Sequence, residues 1–235
     1  DTYHLFGLAQ GMPTDYYSLE DAIKDGYLVP PKAFSVPLKF VRQGIKYDEL
    51  SEEEKAHWDS LDWGDLPPPD EISASDINKF LFNTDTVDKM LKHLMENGIK
   101  VKGGDCLGKT IIFAVNQRHA EFIAERFNYH YPIYQGKFAR IITHAVNYSQ
   151  TLIDDFSKKD LPEPQIAISV DMLDTGIDVP EVVNLVFFKA VRSKVKFLQM
   201  IGRGTRLCQD LFGPEQHKTE FYIFDYCENF EYFNE

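Results

Sequence analysis

Cysteine is scarce in this 235-residue sequence, and long apolar runs are absent from it. The three cysteines, Cys106, Cys208 and Cys227, show none of the spacings of a metal site, and so sparse and odd a count favours a reducing compartment over a disulfide framework. No apolar stretch approaches the roughly 18 residues that a membrane-spanning helix needs. We therefore predict a cytoplasmic protein with no membrane segment and no metal site.

The amino terminus lacks the features of a targeting signal. The chain starts at Asp1 rather than at Met, and no basic region followed by an apolar stretch is found there. We expect no signal peptide, and we expect the sequence to be a piece of a longer chain.

Negative charge predominates, but it is distributed unevenly. The formal net charge is -12, and residues 1–85 hold 17 acidic and 7 basic side chains, whereas residues 86–235 hold 20 and 18. Within the second part, the stretch Lys189–Arg206 contains six basic side chains and no acidic one. Net charge does not exclude a nucleic-acid partner, because an acidic protein can still present a local basic strip to phosphates.

Short apolar runs alternate with helical patterns from about residue 86 onwards. This alternation predicts an α/β fold, with a parallel sheet of about six strands and helices on both faces. Such sheets bind ligands beyond the carboxyl ends of their strands. The predicted strands are 111–115, 140–143, 166–170, 182–188 and 221–224, and the predicted helices are 87–94, 120–127, 149–157 and 195–206.

Residues 1–85 have a different pattern and are predicted to form an acidic connector. Ser18 with Asp21 has the spacing of an N-capping pair, which predicts a short helix at 19–25. The other predictions for this region are a hairpin of 35–43 with 45–47, a charged helix at 51–59 and a stiff linker at 67–69.

Residues 103–110 match the phosphate-binding pattern G-x-x-x-x-G-K-[ST] in full. In a true phosphate loop Lys109 would contact the β- and γ-phosphates. That geometry needs a strand before the loop and a helix after it, because the helix N-terminus completes the phosphate cradle. Here a helical pattern precedes the string and the β-biased run 111–115 follows it directly. We therefore interpret the string as a glycine-rich turn from a helix into a strand.

The string Q-M-I-G-R-G-T-R at 199–206 is the strongest functional signal. On the predicted helix 195–206, Arg203 and Arg206 lie three residues apart on one face, and Gln199 shares that face. Two planar, permanently charged groups directed at one point suit a γ-phosphate whose charge spreads during transfer. The alternative is a solvated basic helix face, which accounts for most arginine pairs.

A second string, V-D-M-L-D-T-G-I-D-V-P, covers 170–180 and follows the predicted strand 166–170. Gly176 allows the backbone to come close to a ligand. Asp178 is a candidate to accept hydrogen bonds from a ribose or to orient an arginine. The alternative is a structural loop in which Asp174 and Asp178 form turns.

Candidate contacts to a nucleic-acid backbone come from two further places. Asn116 and Arg118 stand where the predicted strand 111–115 gives way to a helix, and backbone N–H groups and short polar side chains there suit a DNA phosphate. Lys189 and Arg192 begin the basic stretch. The alternative readings are helix capping for the first pair and a solvent-facing position for either arginine.

The corner at 116–119 and the two strings, in this chain order, resemble motifs IV, V and VI of superfamily-2 helicases and translocases, over about residues 86–225. A finer resemblance is to the motor (R) subunit of type I restriction-modification enzymes. Two residues depart from the broader superfamily: Val170 replaces a common threonine, and Thr175 replaces the arginine of DEAD-box members. The strings that carry the finer resemblance are 170–180, 199–207, Phe224-Asp225-Tyr226 and 17–30.

The resemblance implies a RecA-like sheet of the P-loop NTPase type for residues 86–235, after a connector at 1–85 that follows a first motor lobe. It implies ATP and Mg²⁺ as cofactors, bound mainly by that first lobe, since this sequence contains no D-E-x-H or D-E-A-D string. It assigns Arg203 and Arg206 to catalysis, and Gly176, Asp178 and Gln199 to the nucleotide. The implied partners are double-stranded DNA, the first lobe and nuclease domain of the full-length chain, and methyltransferase and specificity subunits.

The sequence thus predicts the second motor lobe of an ATP-dependent DNA translocase or helicase, active as part of the full-length protein and inactive alone. Two alternatives stay open. One is another superfamily-2 DNA helicase, of the excision-repair or type III restriction kind, and a nuclease signature upstream would argue against it. The other is a non-enzymatic α/β module that binds nucleotide or protein, which predicts that changing both arginines leaves all activity intact.

Overall fold

The fold of the chain is known from a computed structural model, which describes residues 17–36, 45–46, 48, 55, 71–72, 84–143, 149–158, 163–170 and 178–234. Among these residues, helices and short strands alternate along most of the chain. The helices are α1 Leu19–Lys24, α2 Thr84–Asn97, α3 Gln117–His130, α4 Ser149–Ser157, α5 Lys194–Ile201 and α6 Asn229–Asn234. The strands are β1 Pro31–Ser35, β2 Ile45–Lys46, β3 Glu71–Ile72, β4 Lys100–Val101, β5 Cys106–Leu107, β6 Lys109–Phe113, β7 Ala139–Ile141, β8 Ile166–Ser169, β9 Val182–Phe187 and β10 Phe221–Asp225.

Six of these strands form one parallel sheet in the order β1-β10-β9-β6-β8-β7. The central strands β6, β8 and β9 are buried along their whole length, which matches their mostly apolar sequences. The α/β class and the parallel sheet predicted from the sequence are therefore confirmed.

Helices cover both faces of this sheet. Successive residues of β6 alternate between two core clusters: Ile112 packs on the face covered by α2 and α3, and Ile111 on the opposite face. The apolar stripe of α2, which includes Met90 and Leu94, belongs to the first cluster, and Phe197 of α5 belongs to the second. This two-sided burial gives a rigid platform on which the loops at the strand ends are positioned.

The edge strand β1 comes from the region that the sequence assigned to the connector. Its residues pair in parallel with β10 along the whole of both strands. The predicted number of about six strands is therefore confirmed, but the described residues of 84–234 supply five of them, and the sixth, β1, comes from outside the predicted range 86–235. This strand was not predicted from the sequence because an edge strand needs few apolar positions. In β1, Phe34 is the only large apolar residue.

The predictions for the rest of the first 85 residues have mixed outcomes. Helix α1 forms as predicted, and the Ser18 hydroxyl accepts a hydrogen bond from the backbone N–H of Asp21. Ile45–Lys46, from the second strand of the predicted hairpin, pairs antiparallel with Glu71–Ile72, and most of the first strand lies outside the described residues. Residues 37–44, the predicted helix 51–59 apart from Lys55, and the proline run 67–69 lie outside the described residues.

Within the described ranges, no helix is both long enough and apolar enough to cross a membrane.

Candidate functional site

Helix α5 ends earlier than the sequence predicts. It spans Lys194–Ile201, and the segment 202–204 forms a turn in which the N–H of Gly202 still bonds to the Leu198 carbonyl at 2.9 Å. The predicted helix 195–206 is therefore too long: Arg203 lies in the turn that follows α5, and Arg206 lies beyond that turn. Two glycines at this position weaken the helix, because glycine is among the poorest helix formers.

Packing and one backbone hydrogen bond fix the loop that follows α5. A Cβ atom at Gly204 would lie only 2.2 Å from the ring of Phe221, so the backbone approaches the first residue of β10 at a distance that glycine alone permits. The carbonyl of Thr205 accepts the N–H of Val29 at 2.8 Å. Gly204 and Thr205, which directly precede Arg206, are thus held by β10 and by the chain that leads into β1.

Arg206 forms a two-point ion pair with Asp178. Its Nε donates to Oδ1 at 2.8 Å and its Nη2 donates to Oδ2 at 2.9 Å, and both side chains are more than half exposed. The pair joins the two strings that the sequence singled out, over 28 residues of chain. Of the two roles open to Asp178, the described contacts favour orienting an arginine.

The segment that carries Asp178 is itself anchored to the core. Val179 is buried, and the buried ammonium group of Lys218 donates to the carbonyls of Pro180 at 3.0 Å and Val182 at 2.6 Å. Burial lowers the pKa of Lys218 to about 8. The sequence analysis missed this lysine because a lone lysine next to β10 carries no motif. Its position in an otherwise apolar surrounding is visible only in the folded chain.

For the other residues predicted to face the nucleotide, the structure gives a position and an exposure where it describes them. Gly176 lies outside the described residues. Gln199 is exposed on the last turn of α5, and Arg203 is half-buried in the turn that follows.

The four predicted DNA contacts lie beyond the carboxyl ends of two neighbouring strands. Asn116 and Arg118 follow β6, whereas Lys189 and Arg192 follow β9, and β6 pairs with β9 in parallel. The sheet thus brings both pairs to the same edge, where ligands of such sheets bind.

The contacts of these residues differ. Asn116 is the N-cap of α3, since its side-chain oxygen accepts a hydrogen bond from the N–H of His119 at 2.9 Å. The alternative of helix capping is thus observed for this residue. Arg118 is exposed. The ammonium group of Lys189 donates to the carbonyl of Val170 at 3.2 Å, and the exposed guanidinium of Arg192 lies 4.6 Å from the ring centre of Tyr232. This edge therefore presents two exposed arginines and one partly buried lysine.

The helicase conserved C-terminal domain family matches residues 88–208, which is more than half of the chain. The chain belongs to this family. Two curated relatives extend the likeness beyond the matched domain. The EcoKI endonuclease subunit of a type I restriction enzyme from Escherichia coli K12 is 30% identical over 92% of the chain, and the EcoAI endonuclease subunit from Escherichia coli is 25% identical over 84%. The chain spans only 18% and 23% of the lengths of these two relatives.

A solved structure supports the fold of this helicase C-terminal domain. A fragment assigned to an HsdR subunit of a type I restriction enzyme from Vibrio vulnificus YJ016 superposes with a TM-score of 0.70 and 23% identity, over 100% of this chain and 38% of that one. The RecA-like fold is therefore confirmed, and together with the curated relatives it confirms the resemblance to type I restriction motor subunits.

The string at 103–110 does not form a phosphate loop in this helicase C-terminal domain. It runs through a short 3-10 turn, where Gly103 has a φ of 71°, and then into the hairpin strand β5 and the sheet strand β6. Lys109 lies at the start of β6 and is 5% exposed. Its ammonium group donates to the carbonyls of Phe156 at 2.6 Å and Lys158 at 2.9 Å, where α4 ends. The rejection of a phosphate loop is therefore confirmed, and the predicted glycine-rich turn is part of the β4–β5 hairpin that leads from α2 into β6.

Replacing Lys109 by alanine is expected to lower the free energy of unfolding by about 1–3 kcal/mol, because two carbonyl groups lose their donor in the interior. The ammonium group is buried and bound to these two carbonyls, so its role is structural rather than electrostatic toward a solvent-borne phosphate; the same burial lowers the pKa of this lysine. Chemical denaturation measures the loss, and Lys92→Ala, an exposed position on α2, serves as the control with a change below about 0.5 kcal/mol. A loss of ATP affinity in a fully folded Lys109→Ala variant of the full-length protein would contradict this assignment.

Proposed function

We propose that this domain is the second motor lobe of an ATP-dependent DNA translocase within the R subunit of a type I restriction endonuclease. The observation that carries the proposal is the two-point ion pair of Asp178 with Arg206, which joins the two helicase-like strings in a member of the helicase C-terminal family. The EcoKI and EcoAI relatives, which are endonuclease subunits by name, supply the finer assignment.

The geometry of Arg206 fits a phosphate of ATP. A guanidinium group has five N–H donors, and Asp178 uses only Nε and one N–H of Nη2. The N–H groups of Nη1 and the second N–H of Nη2 point away from Asp178 and can donate to a second acceptor. The side chain is 54% exposed. Bound ATP would supply the phosphoryl group that is transferred to water, and Arg206 would neutralise charge that develops on it, with Arg203 beside it in sequence.

The phosphate cradle itself has no counterpart at 103–110, because that segment is a hairpin. We therefore propose that ATP and Mg²⁺ are held mainly by a first RecA-like lobe of the full-length chain. Gly176 and Gln199 would complete the nucleotide side of the cleft from this lobe. Closing and opening of that cleft would move the two lobes in steps along duplex DNA.

The carboxyl edge of the sheet would follow the DNA backbone. Arg118 and Arg192 are exposed there, and Lys189 and Asn116 stand next to them in sequence. Phosphate contacts of this kind fix the register of a protein on DNA without reading its sequence. In the complete enzyme we propose that methyltransferase and specificity subunits supply recognition, that a nuclease domain of the same chain supplies cleavage, and that the assembly works in the cytoplasm.

The direct test is ATP hydrolysis by the full-length subunit, measured with and without duplex DNA. Stimulation by DNA that lacks free ends or single-stranded regions is expected of a duplex translocase. A full-length protein that hydrolyses no ATP in the presence of its partner subunits and DNA would contradict the proposed motor function.

The 235-residue chain alone is expected to show no ATP turnover above buffer, because its described residues form only the arginine side of the site. A phosphate-release assay at millimolar ATP measures this, with the full-length subunit as the positive control. Turnover by the isolated chain that Lys109→Ala abolishes would show that the hairpin assignment of 103–110 is wrong.

Replacing Arg118 and Arg192 together by alanine is expected to weaken DNA binding equally for all sequences. Each lost phosphate contact should flatten the slope of log affinity against log salt by about 0.9, since fewer counterions are released. Filter binding or anisotropy across a salt series with two unrelated duplexes measures the slope. Arg140→Ala, which changes an exposed arginine of β7 at the far edge of the sheet, is the matched control. An unchanged slope would remove both arginines from the DNA path.

A further inference from the structure

A buried polar network lies directly behind the basic loop between β9 and α5. Asp225 ends β10 and is fully buried, and Asn229, the first residue of α6, is 1% exposed. The side-chain amide of Asn229 donates to an oxygen of Asp225 at 2.9 Å. The same carboxylate also accepts the backbone N–H groups of Cys227 at 3.1 Å and Phe230 at 3.0 Å. Three N–H donors thus converge on one buried carboxylate.

The network extends from Asn229 into the loop that carries Lys189 and Arg192. The oxygen of the Asn229 side chain accepts the N–H of Val191 at 2.6 Å, and its amide donates to the carbonyl of Lys189 at 3.1 Å. These two bonds hold the backbone on both sides of residue 190. Arg192 follows directly, and its guanidinium lies over the ring of Tyr232, three residues after Asn229 on the same helix.

The loop backbone is bound by side-chain groups rather than by water. Val191 is buried, and its N–H is satisfied by a buried amide that a buried carboxylate orients in turn. Burial raises the pKa of the Asp225 carboxyl, while the N–H donors of Phe230, Cys227 and Asn229 lower it again. Such a group is costly to bury unless it is fully hydrogen-bonded, so the network fixes one loop conformation strongly.

We propose that Asp225 and Asn229 are positioning residues for DNA binding: through the hydrogen bonds of Asn229 to Lys189 and Val191 they hold the loop so that Lys189 and Arg192 reach the phosphates together. The proposal rests on the proposed DNA path along this edge of the sheet. It adds two residues that touch no DNA themselves. Their effect on binding is exerted through the loop backbone.

The test is Asn229→Ala in the full-length subunit, with DNA affinity measured over a salt series. The expected result is a slope of log affinity against log salt that falls by roughly 0.9–1.8, the loss of one or two phosphate contacts. Asp225→Asn keeps the size of the side chain but turns one acceptor into a donor that faces N–H groups, so it should lower the slope in the same direction by a smaller amount.

The matched control is Asn184→Ala. Asn184 is also fully buried and also makes three hydrogen bonds, to the N–H of Ile99 at 2.8 Å, the carbonyl of Ile99 at 3.1 Å and the hydroxyl of Thr110 at 3.2 Å. It lies near the amino end of β9, away from the basic loop. Asn184→Ala should destabilise the fold to a similar degree and leave the salt slope unchanged. Equal slopes for the Asn184 and Asn229 variants would reduce Asn229 to a structural role and overturn the proposal.

A double-mutant comparison separates this inference from the DNA path itself. In a variant that already carries Lys189→Ala and Arg192→Ala, adding Asn229→Ala should change DNA affinity by less than about twofold. The reason is that Asn229 acts only through the two basic side chains, which are already absent. If the Lys189 and Arg192 changes leave the slope intact, the DNA path is wrong. If they lower it but Asn229→Ala does not, the DNA path stands and the positioning role is wrong.

Discussion

Replacing Arg206 by alanine in the full-length subunit is expected to lower ATP turnover by on the order of 10³-fold, as for arginine fingers in other phosphoryl-transfer enzymes. Its guanidinium is exposed, oriented by Asp178, and has N–H groups directed away from that carboxylate. A group that neutralises charge developing in the transition state contributes to kcat far more than to binding of the ground state. ATP affinity should therefore fall much less than turnover.

Turnover and nucleotide binding are measured separately, with saturating duplex DNA. Arg140→Ala supplies the control for loss of an exposed arginine from this lobe. Thermal unfolding shows whether the variant is folded, and Arg203→Ala is measured in parallel because the same string assigns it to catalysis. A well-folded Arg206→Ala protein with near-normal ATPase activity would rule out the mechanism proposed for this lobe.

Replacing Asp178 by asparagine is expected to lower ATP turnover by on the order of 10²-fold, the cost of a catalytic group displaced by about 1 Å. Asparagine keeps one oxygen that can accept a hydrogen bond from Arg206. It loses the negative charge and the second acceptor of the two-point ion pair. The ion pair is largely exposed, so its contribution to stability is small and the variant should unfold at nearly the same temperature as the natural protein. A large change in turnover with an unchanged melting temperature is the expected combination.

Asp155→Asn is the matched control, because Asp155 forms an ion pair with Lys158 at 2.9 Å on α4, which no string links to the nucleotide. The double variant Asp178→Asn, Arg206→Ala should turn over ATP no more slowly than Arg206→Ala alone, since Asp178 acts through the arginine. Additive losses would mean that Asp178 contacts the nucleotide directly, as a ribose ligand, rather than orienting Arg206.

Most of the fold could be predicted from the sequence, because it depends on local patterns. The strands β6, β8 and β9 are short, mostly apolar runs that are buried on both faces, and α2 has the apolar spacing of a helix packed on one side. The order of strand and helix around 103–110 was enough to reject a phosphate loop, which the hairpin and the buried Lys109 confirm. Local chemistry also located the cap of α1 at Ser18.

The candidate site was predictable only in part. The residues of the ion pair were both named from their strings, but their pairing was not, since Asp178 and Arg206 are 28 residues apart. The helix predicted over 195–206 ends at Ile201, so Arg203 and Arg206 lie beyond it, on either side of the point where Gly204 packs against Phe221. The network of Asp225 and Asn229 was not predicted: Asp225 was noted only within the string 224–226, and its contact with Asn229 and the loop at 189–191 depends on the folded chain.

By itself the sequence determined the α/β class and the alternation of elements, and it singled out the residues that we propose for phosphate and DNA chemistry. These follow from periodicity and residue type, which are local. Tertiary structure alone decided that β1 joins the sheet next to β10, that Val29 bonds to the loop before Arg206, and that Asn229 holds the basic loop. Each of these is a contact between distant segments, and its free energy depends on packing and burial that exist only once the sheet has formed.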